Sequence, residues 1–93
     1  MNFILKARIN RSTAQTIRQA LKQLPAKSSV KKEGKEFVVE AKVEGACAKE
    51  LNRTLLSALR KVQKRTTLRA EWTTGEGSTE RYFDYVLKKK TKG

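Results

Sequence analysis

Phe3, Leu5, Ala7 and Ile9 alternate with Asn2, Ile4, Lys6 and Arg8, a period of two that predicts a strand buried on one face. Ser12 followed by Gln15 has the Ser-x-x-Gln form of a capping box and predicts a helix start. Ala14, Ile17, Leu21 and Leu24 continue as one apolar stripe, and Pro25 ends the helix because the residue before a proline is pushed out of helical geometry. A hairpin follows: a short strand over Ser28–Lys32, a turn at Glu33-Gly34, and a longer strand over Glu36–Glu44 with Phe37, Val39, Ala41 and Val43 on one face. Gly45 closes it. A second helix runs from about Ala46 to Arg65, where Cys47, Leu51, Leu55, Ala58 and Val62 gather within roughly a quarter-turn. Leu68, Ala70 and Trp72 predict a strand over Thr67–Thr73, residues 74–79 read as a loop, and Arg81–Leu87 returns as a further strand. The predicted fold is α+β, with both helices packed on one face of an antiparallel sheet. Its order is β-α-β-β-α-β with one more β at the end. Residues 1–87 form a single domain on this reading, and 88–93 are a basic tail without fixed structure.

Composition removes whole classes of chemistry. The 93 residues contain no histidine, which excludes His-based triads, His–metal sites and a His general base. A single cysteine, Cys47, excludes an internal disulfide and any Cys-rich zinc site. The nine acidic residues are scattered, and no two are expected to sit in a cleft with a nucleophile. The chain is therefore expected to be non-enzymatic, with no metal and no cofactor. Apolar runs such as Phe3-Ile4-Leu5 are too short to span a bilayer, and Met1 leads straight into a strand pattern instead of a signal peptide. A cytoplasmic location without membrane contact is expected.

Charge points to the partner. Lysine and arginine number 22 against 9 acids, a net charge of +13, and a polyanion such as nucleic acid is the common partner of so basic a surface. Lys88, Lys89, Lys90 and Lys92 supply only four of these cations, so the basicity belongs mainly to the folded part. On the second helix Lys49, Arg53, Arg60 and Lys64 fall on one side and predict a basic ridge, with Glu50 the only acid among six positive charges. An ordinary solvated face has the same pattern. Leu56 and Leu59 fall outside the predicted buried stripe and are candidates for a protein interface. Gly75-Glu76-Gly77 lacks the Lys-Ser/Thr of a phosphate-binding loop and reads as a hairpin turn. Tyr82, Phe83 and Tyr85 are able to stack on bases, cover the second sheet face or meet another chain. The Phe37 strand has one aromatic where an RNA-recognition motif needs two or three.

Three runs carry a family resemblance: Ala14-Gln15-Thr16-Ile17-Arg18-Gln19-Ala20-Leu21, then Val30 to Ala41 with its Glu33-Gly34 turn, then Lys49 to Arg60. Together they are similar to the small dimerising subunit of the KEOPS complex or a paralogue of it, over roughly Ala7 to Val62. The resemblance implies a β-α-β-β-α core and a non-catalytic subunit that pairs through its sheet with itself or a paralogous small subunit. It further implies helices packed on the catalytic threonylcarbamoyl-transferase subunit, which modifies ANN-decoding tRNAs. Leu55, Leu56 and Leu59 correspond to the family's Leu-Asn-Ser-x-Leu stretch and would be divided between core and partner face. The sequence departs from the family in its separated Asn52 and Ser57 and in its continuation through Trp72 and the Tyr82-Phe83 strand. Two functions are thus expected: an accessory subunit of a tRNA-modifying assembly, or a stand-alone RNA- or DNA-binding protein of ribosomal or chromatin type.

Overall fold

The structure is a computed structural model that describes residues 2–24 and 26–92, with the side chains of 26 and 89–92 outside the description. The elements run β1 (Asn2–Asn10), α1 (Ala14–Leu21), β2 (Ala26–Glu33), β3 (Glu36–Glu44), α2 (Ala48–Val62), β4 (Thr67–Thr74), β5 (Ser78–Phe83) and β6 (Val86–Lys92). The strands form one antiparallel sheet in the order β2-β3-β1-β4-β5-β6. This is the expected α+β arrangement, with three strands after α2 where the sequence predicts two. The extra strand has a local cause: Asp84 and Tyr85 turn the chain, so Arg81–Leu87 divides between β5 and β6. Strand β6 also takes up residues 88–92, which the sequence predicts as a tail, while Gly93 lies outside the described residues.

β1 is the centre of the sheet. Phe3, Leu5, Ala7 and Ile9 are buried in turn, and each meets a buried or half-buried partner on β3: Val43, Ala41, Val39 and Phe37. On the other side Leu5, Ala7 and Ile9 face Trp72, Ala70 and Leu68 of β4. Both helices cover this face and leave Lys6, Arg8 and their row neighbours open to solvent. The first four strands have the split β-α-β arrangement of ferredoxin-like folds, and β5 and β6 extend it as a meander. Both sides of β1 are thus paired within the chain. The unpaired edges are β2 and β6, each rich in lysine, a composition that discourages edge-to-edge pairing.

Two glycines serve the backbone directly. Gly34 sits at φ +61° in the two-residue β2–β3 turn, a conformation costly for most side chains. At Gly45 a Cβ would stand 2.5 Å from Leu51 Cδ2, so glycine lets α2 come down onto the end of β3.

Helix α1 starts one residue later than the Ser12 capping box predicts. Thr13 is the cap: its Oγ1 accepts from the Thr16 amide at 3.1 Å. Arg11 causes the offset, since its left-handed φ of 58° turns the chain out of β1 before Ser12, and the Thr66 hydroxyl holds its carbonyl at 3.1 Å.

Helix α2 differs in phase from the sequence reading. It buries Ala48, Leu51, Asn52, Leu55, Leu56 and Leu59, whereas Cys47 is the exposed N-cap residue and Val62 is 59% exposed. The buried arc is rotated by about 70° from the predicted stripe at 100° per residue. Leu56 and Leu59 are fully buried core residues and form no interface, contrary to expectation. The cause is tertiary. The helix lies over β4, and the β5–β6 turn beyond it bonds to Asn52, Ser57 and Arg60 on the flank that a shorter sheet would leave in water.

That turn is fastened by Asp84, which adopts φ +54°. Its amide donates to the Leu68 carbonyl at 2.7 Å, and its Oδ1 accepts from the Leu68 amide at 2.9 Å. Its carbonyl accepts from Asn52 Nδ2 at 2.6 Å, and its Oδ2 pairs with Arg60 Nη2 at 3.1 Å. Asn52, 1% exposed, also accepts from Trp72 Nε1 at 3.1 Å. One buried amide therefore satisfies the indole and holds the turn, which makes a polar residue acceptable inside the helix stripe.

Leu56→Ala is expected to lower the free energy of unfolding in urea by about 2–5 kcal/mol, the range for a buried leucine; a loss within about 0.5 kcal/mol would return Leu56 to the surface. A second expectation concerns Tyr82, whose phenol is held above its ordinary value by burial, then by the Glu80 carboxylate and the Cys47 thiol. The folded state therefore binds this proton more tightly than the unfolded chain. The resulting stability is complete below pH about 10 and is lost as pH rises through the raised value. Against the parent, Tyr82→Phe should show a constant difference in urea midpoint below pH about 10 and a relative gain above it.

Candidate nucleic-acid interface

The expected ridge is present only in part. Lys49 and Arg53 are exposed on successive turns of α2 and, with Asn52, Ser57 and Tyr85, border a notch of about 360 Å³. Lys64 is exposed but lies beyond the helix, which ends at Val62 with Gln63 as its extended C-cap. Arg60 is committed to the fold. Its Nη2 pairs with Asp84, its Nε donates to the Thr66 carbonyl at 3.0 Å, and its guanidinium lies 5.6 Å from the Tyr85 ring centre. With its charge paired and three neighbours holding it, Arg60 is a strut between α2 and the β5–β6 turn, whereas Lys49 and Arg53 present free ammonium and guanidinium groups to solvent.

The four C-terminal lysines separate as well. Lys88 is exposed and lines a groove on the open face of the sheet, away from the helices. Lys89, Lys90 and Lys92 belong to β6 by backbone, and their side chains lie outside the described residues.

The larger basic surface is one that the single-helix reading does not show. Arg18 and Lys22 on α1 join Lys49, Arg53, Lys61, Lys64 and Arg65 on α2 and its flank, all exposed, with Glu50 as the one acid in these two segments. The helices pack side by side over the sheet, so their cations share one side of the molecule. A cleft of about 490 Å³ between them is walled by Gln19, Gln23, Thr54, Ser57 and Lys61, with Ala20 and Ala58 at its base. The amides and hydroxyls add hydrogen-bonding groups suited to phosphate and sugar oxygens. The signal was legible in α1 alone, whose exposed positions Gln15, Arg18 and Gln19 include no acid, but pairing it with α2 requires the tertiary packing.

Among the described residues no cluster of three or more His, Cys, Asp or Glu side chains could hold a metal ion. No helix there is long and apolar enough to cross a membrane. Comparison with family models, with curated proteins and with solved structures returned no match.

Arg60→Gln is expected to lower stability by roughly 1–3 kcal/mol, because it loosens the charged contact to Asp84 and leaves the Thr66 carbonyl short of a donor. Lys49→Gln and Arg53→Gln should each stay within about 0.5 kcal/mol of the parent. Thermal melts of the three variants check this division, and equal losses at all three positions would contradict it.

Proposed function

We propose that the protein is a non-catalytic RNA-binding domain that engages the phosphate backbone through the paired helices α1 and α2. The carrying observation is the charge on that side: seven exposed cations on the helices and their flanks against Glu50 alone. A surface helix with a merely structural role usually alternates charge sign, because like charges spaced three or four residues apart destabilise it. Here no such balance exists, and phosphates supply the missing counter-charge with release of bound cations. Contacts of this kind position a polynucleotide without reading its sequence, so broad specificity follows. The single cysteine is compatible with a reducing, cytoplasmic setting.

A second reading assigns the chain to a KEOPS-like assembly as an accessory subunit, which would make tRNA the polynucleotide. It is favoured by the order β-α-β-β-α over Asn2–Val62, the core that the family resemblance implies. Two features limit how such a subunit would dock. Leu56 and Leu59 are in the core and unavailable to a catalytic subunit, and the sheet's free edges are the lysine-rich β2 and β6. Contact would then run through the exposed helix surface or one of these edges. Native-extract capture with the full chain should bring down the other KEOPS subunits on this reading, and RNA without them on the first.

The RNA reading is tested by titrating tRNA at several salt concentrations. With about six phosphate contacts, affinity falls roughly a thousandfold between 50 and 200 mM salt. The triple variant Lys49→Gln, Arg53→Gln, Lys61→Gln should bind more weakly and lose about 2–3 from the log–log slope. Unchanged affinity and slope would mean that these helices are only a solvated face.

A further inference from the structure

The sheet face opposite the helices carries a second unbalanced feature. Register places side chains of this face in rows across the strands. One row runs Glu40–Lys6–Glu71–Arg81 across β3, β1, β4 and β5, alternating in sign, and Arg81 Nε meets Glu71 Oε2 at 2.7 Å. This row satisfies itself. The adjacent row runs Val38–Arg8–Arg69–Phe83 and contains two arginines directly opposite each other with no acid between them. Like charges facing across strands destabilise a sheet. The nearest relief is Glu36, whose Oε1 lies 3.9 Å from Arg8 Nη1 with both side chains partly in water, a contact worth little.

Phe83 ends this row on the solvent side of the sheet, half-buried, with the Arg69 guanidinium 5.3 Å from its ring centre. A groove of about 510 Å³ runs over the same residues; Lys88 adds a cation to its lining, and the self-balanced Glu40–Lys6–Glu71–Arg81 row forms its other side. Lys88 is the additional residue of a β-bulge, since Arg81 pairs with Lys89 and Tyr82 with Leu87. Bulges re-aim side chains, and this one adds a cation to the groove.

We propose that this groove binds an unpaired stretch of RNA, with Arg69 and Phe83 as the stacking platform and Arg8 and Lys88 as phosphate contacts. Only the choice of RNA as the polyanion rests on the function proposed above. The choice of an unpaired strand rests on the row itself. Guanidinium and phenyl planes stack on exposed base faces, which a duplex hides within its own stack. A lipid surface or an acidic peptide supplies anions but no planar group to match Arg69 and Phe83. Phosphates beside the Arg8–Arg69 pair remove its repulsion, so the bound state gains what the free sheet lacks. The helix side, by contrast, offers cations and amides, which suit the backbone of a structured RNA. The two faces thus divide the molecule between structured and unpaired RNA.

The test uses the full-length protein and two probes, oligouridylate and tRNA. Ultraviolet cross-linking to oligouridylate, mapped by mass spectrometry, should label β5 at Phe83. The double variant Arg8→Gln, Arg69→Gln should bind oligouridylate at least about tenfold more weakly, and Phe83→Leu about five- to a hundredfold more weakly. Melting temperature for the arginine variant is expected at or above the parent's, which separates lost binding from lost folding. The Lys49/Arg53/Lys61 triple variant should keep oligouridylate affinity within about twofold while losing tRNA affinity. Cross-links confined to α1 and α2, or equal oligouridylate affinity in the arginine variant and the parent, would overturn the groove and leave the helix surface standing. Loss of oligouridylate binding in the arginine variant, with tRNA binding unmoved in the triple variant, would instead uphold the groove and remove the helix surface.

Discussion

The orientation of the second helix depends on how Asp84 is held. Its backbone N–H and C=O, and both carboxylate oxygens, are engaged by Leu68, Asn52 and Arg60. These contacts join the end of β4, the middle of α2 and the β5–β6 turn. The left-handed φ of +54° is tolerable at aspartate and is over-determined by its partners. Arg60 carries the constraint onward to Thr66, and the Thr66 hydroxyl to Arg11, the residue that turns β1 into α1. A short polar chain therefore fixes the phase of α2 and, through it, which cations reach solvent. In a domain this small, with one thin core, such a chain has the leverage that a second hydrophobic layer supplies in larger proteins.

Positive charge is used in distinct ways on the two faces. On the helix side it is nearly unopposed, and its cost is borne by exposed residues with water around them. On the open sheet face, cations and acids alternate in one row and fail to alternate in the next. The first arrangement spreads positive charge over a wide area. The second is local, and an aromatic ring at its end gives it a geometric preference. The lysine-rich edges β2 and β6 frame both faces. Such edges discourage growth of the sheet by strand addition. This bears on the family resemblance: pairing through the sheet, which the resemblance implies, would have to run along β2 or β6.

The alternation of β1, β3 and β4, the β2–β3 hairpin (its turn one residue later, at Gly34-Lys35) and the two helices were all legible in the sequence, because each is a local pattern that decides its own geometry. Period-two burial at Phe3, Leu5, Ala7 and Ile9 permits only one face inward, and the structure keeps it. Net charge and the absence of histidine were equally fixed by composition, and with them the class of partner worth considering. The phase of α2 was not legible. A helix of leucines and cations on adjoining flanks can be rotated by about 70° and still read as amphipathic at 100° per residue. Only the β5–β6 turn, brought against Asn52 and Arg60 by a network spanning residues far apart in sequence, selects the rotation. The same holds for Arg60, identical in sequence terms to Arg53 but neutralised by Asp84, and for the Arg8–Arg69–Phe83 row, which exists only once β1, β4 and β5 are in register. Local periodicity decides which residues leave water; long-range pairing decides which charges remain free to meet a partner.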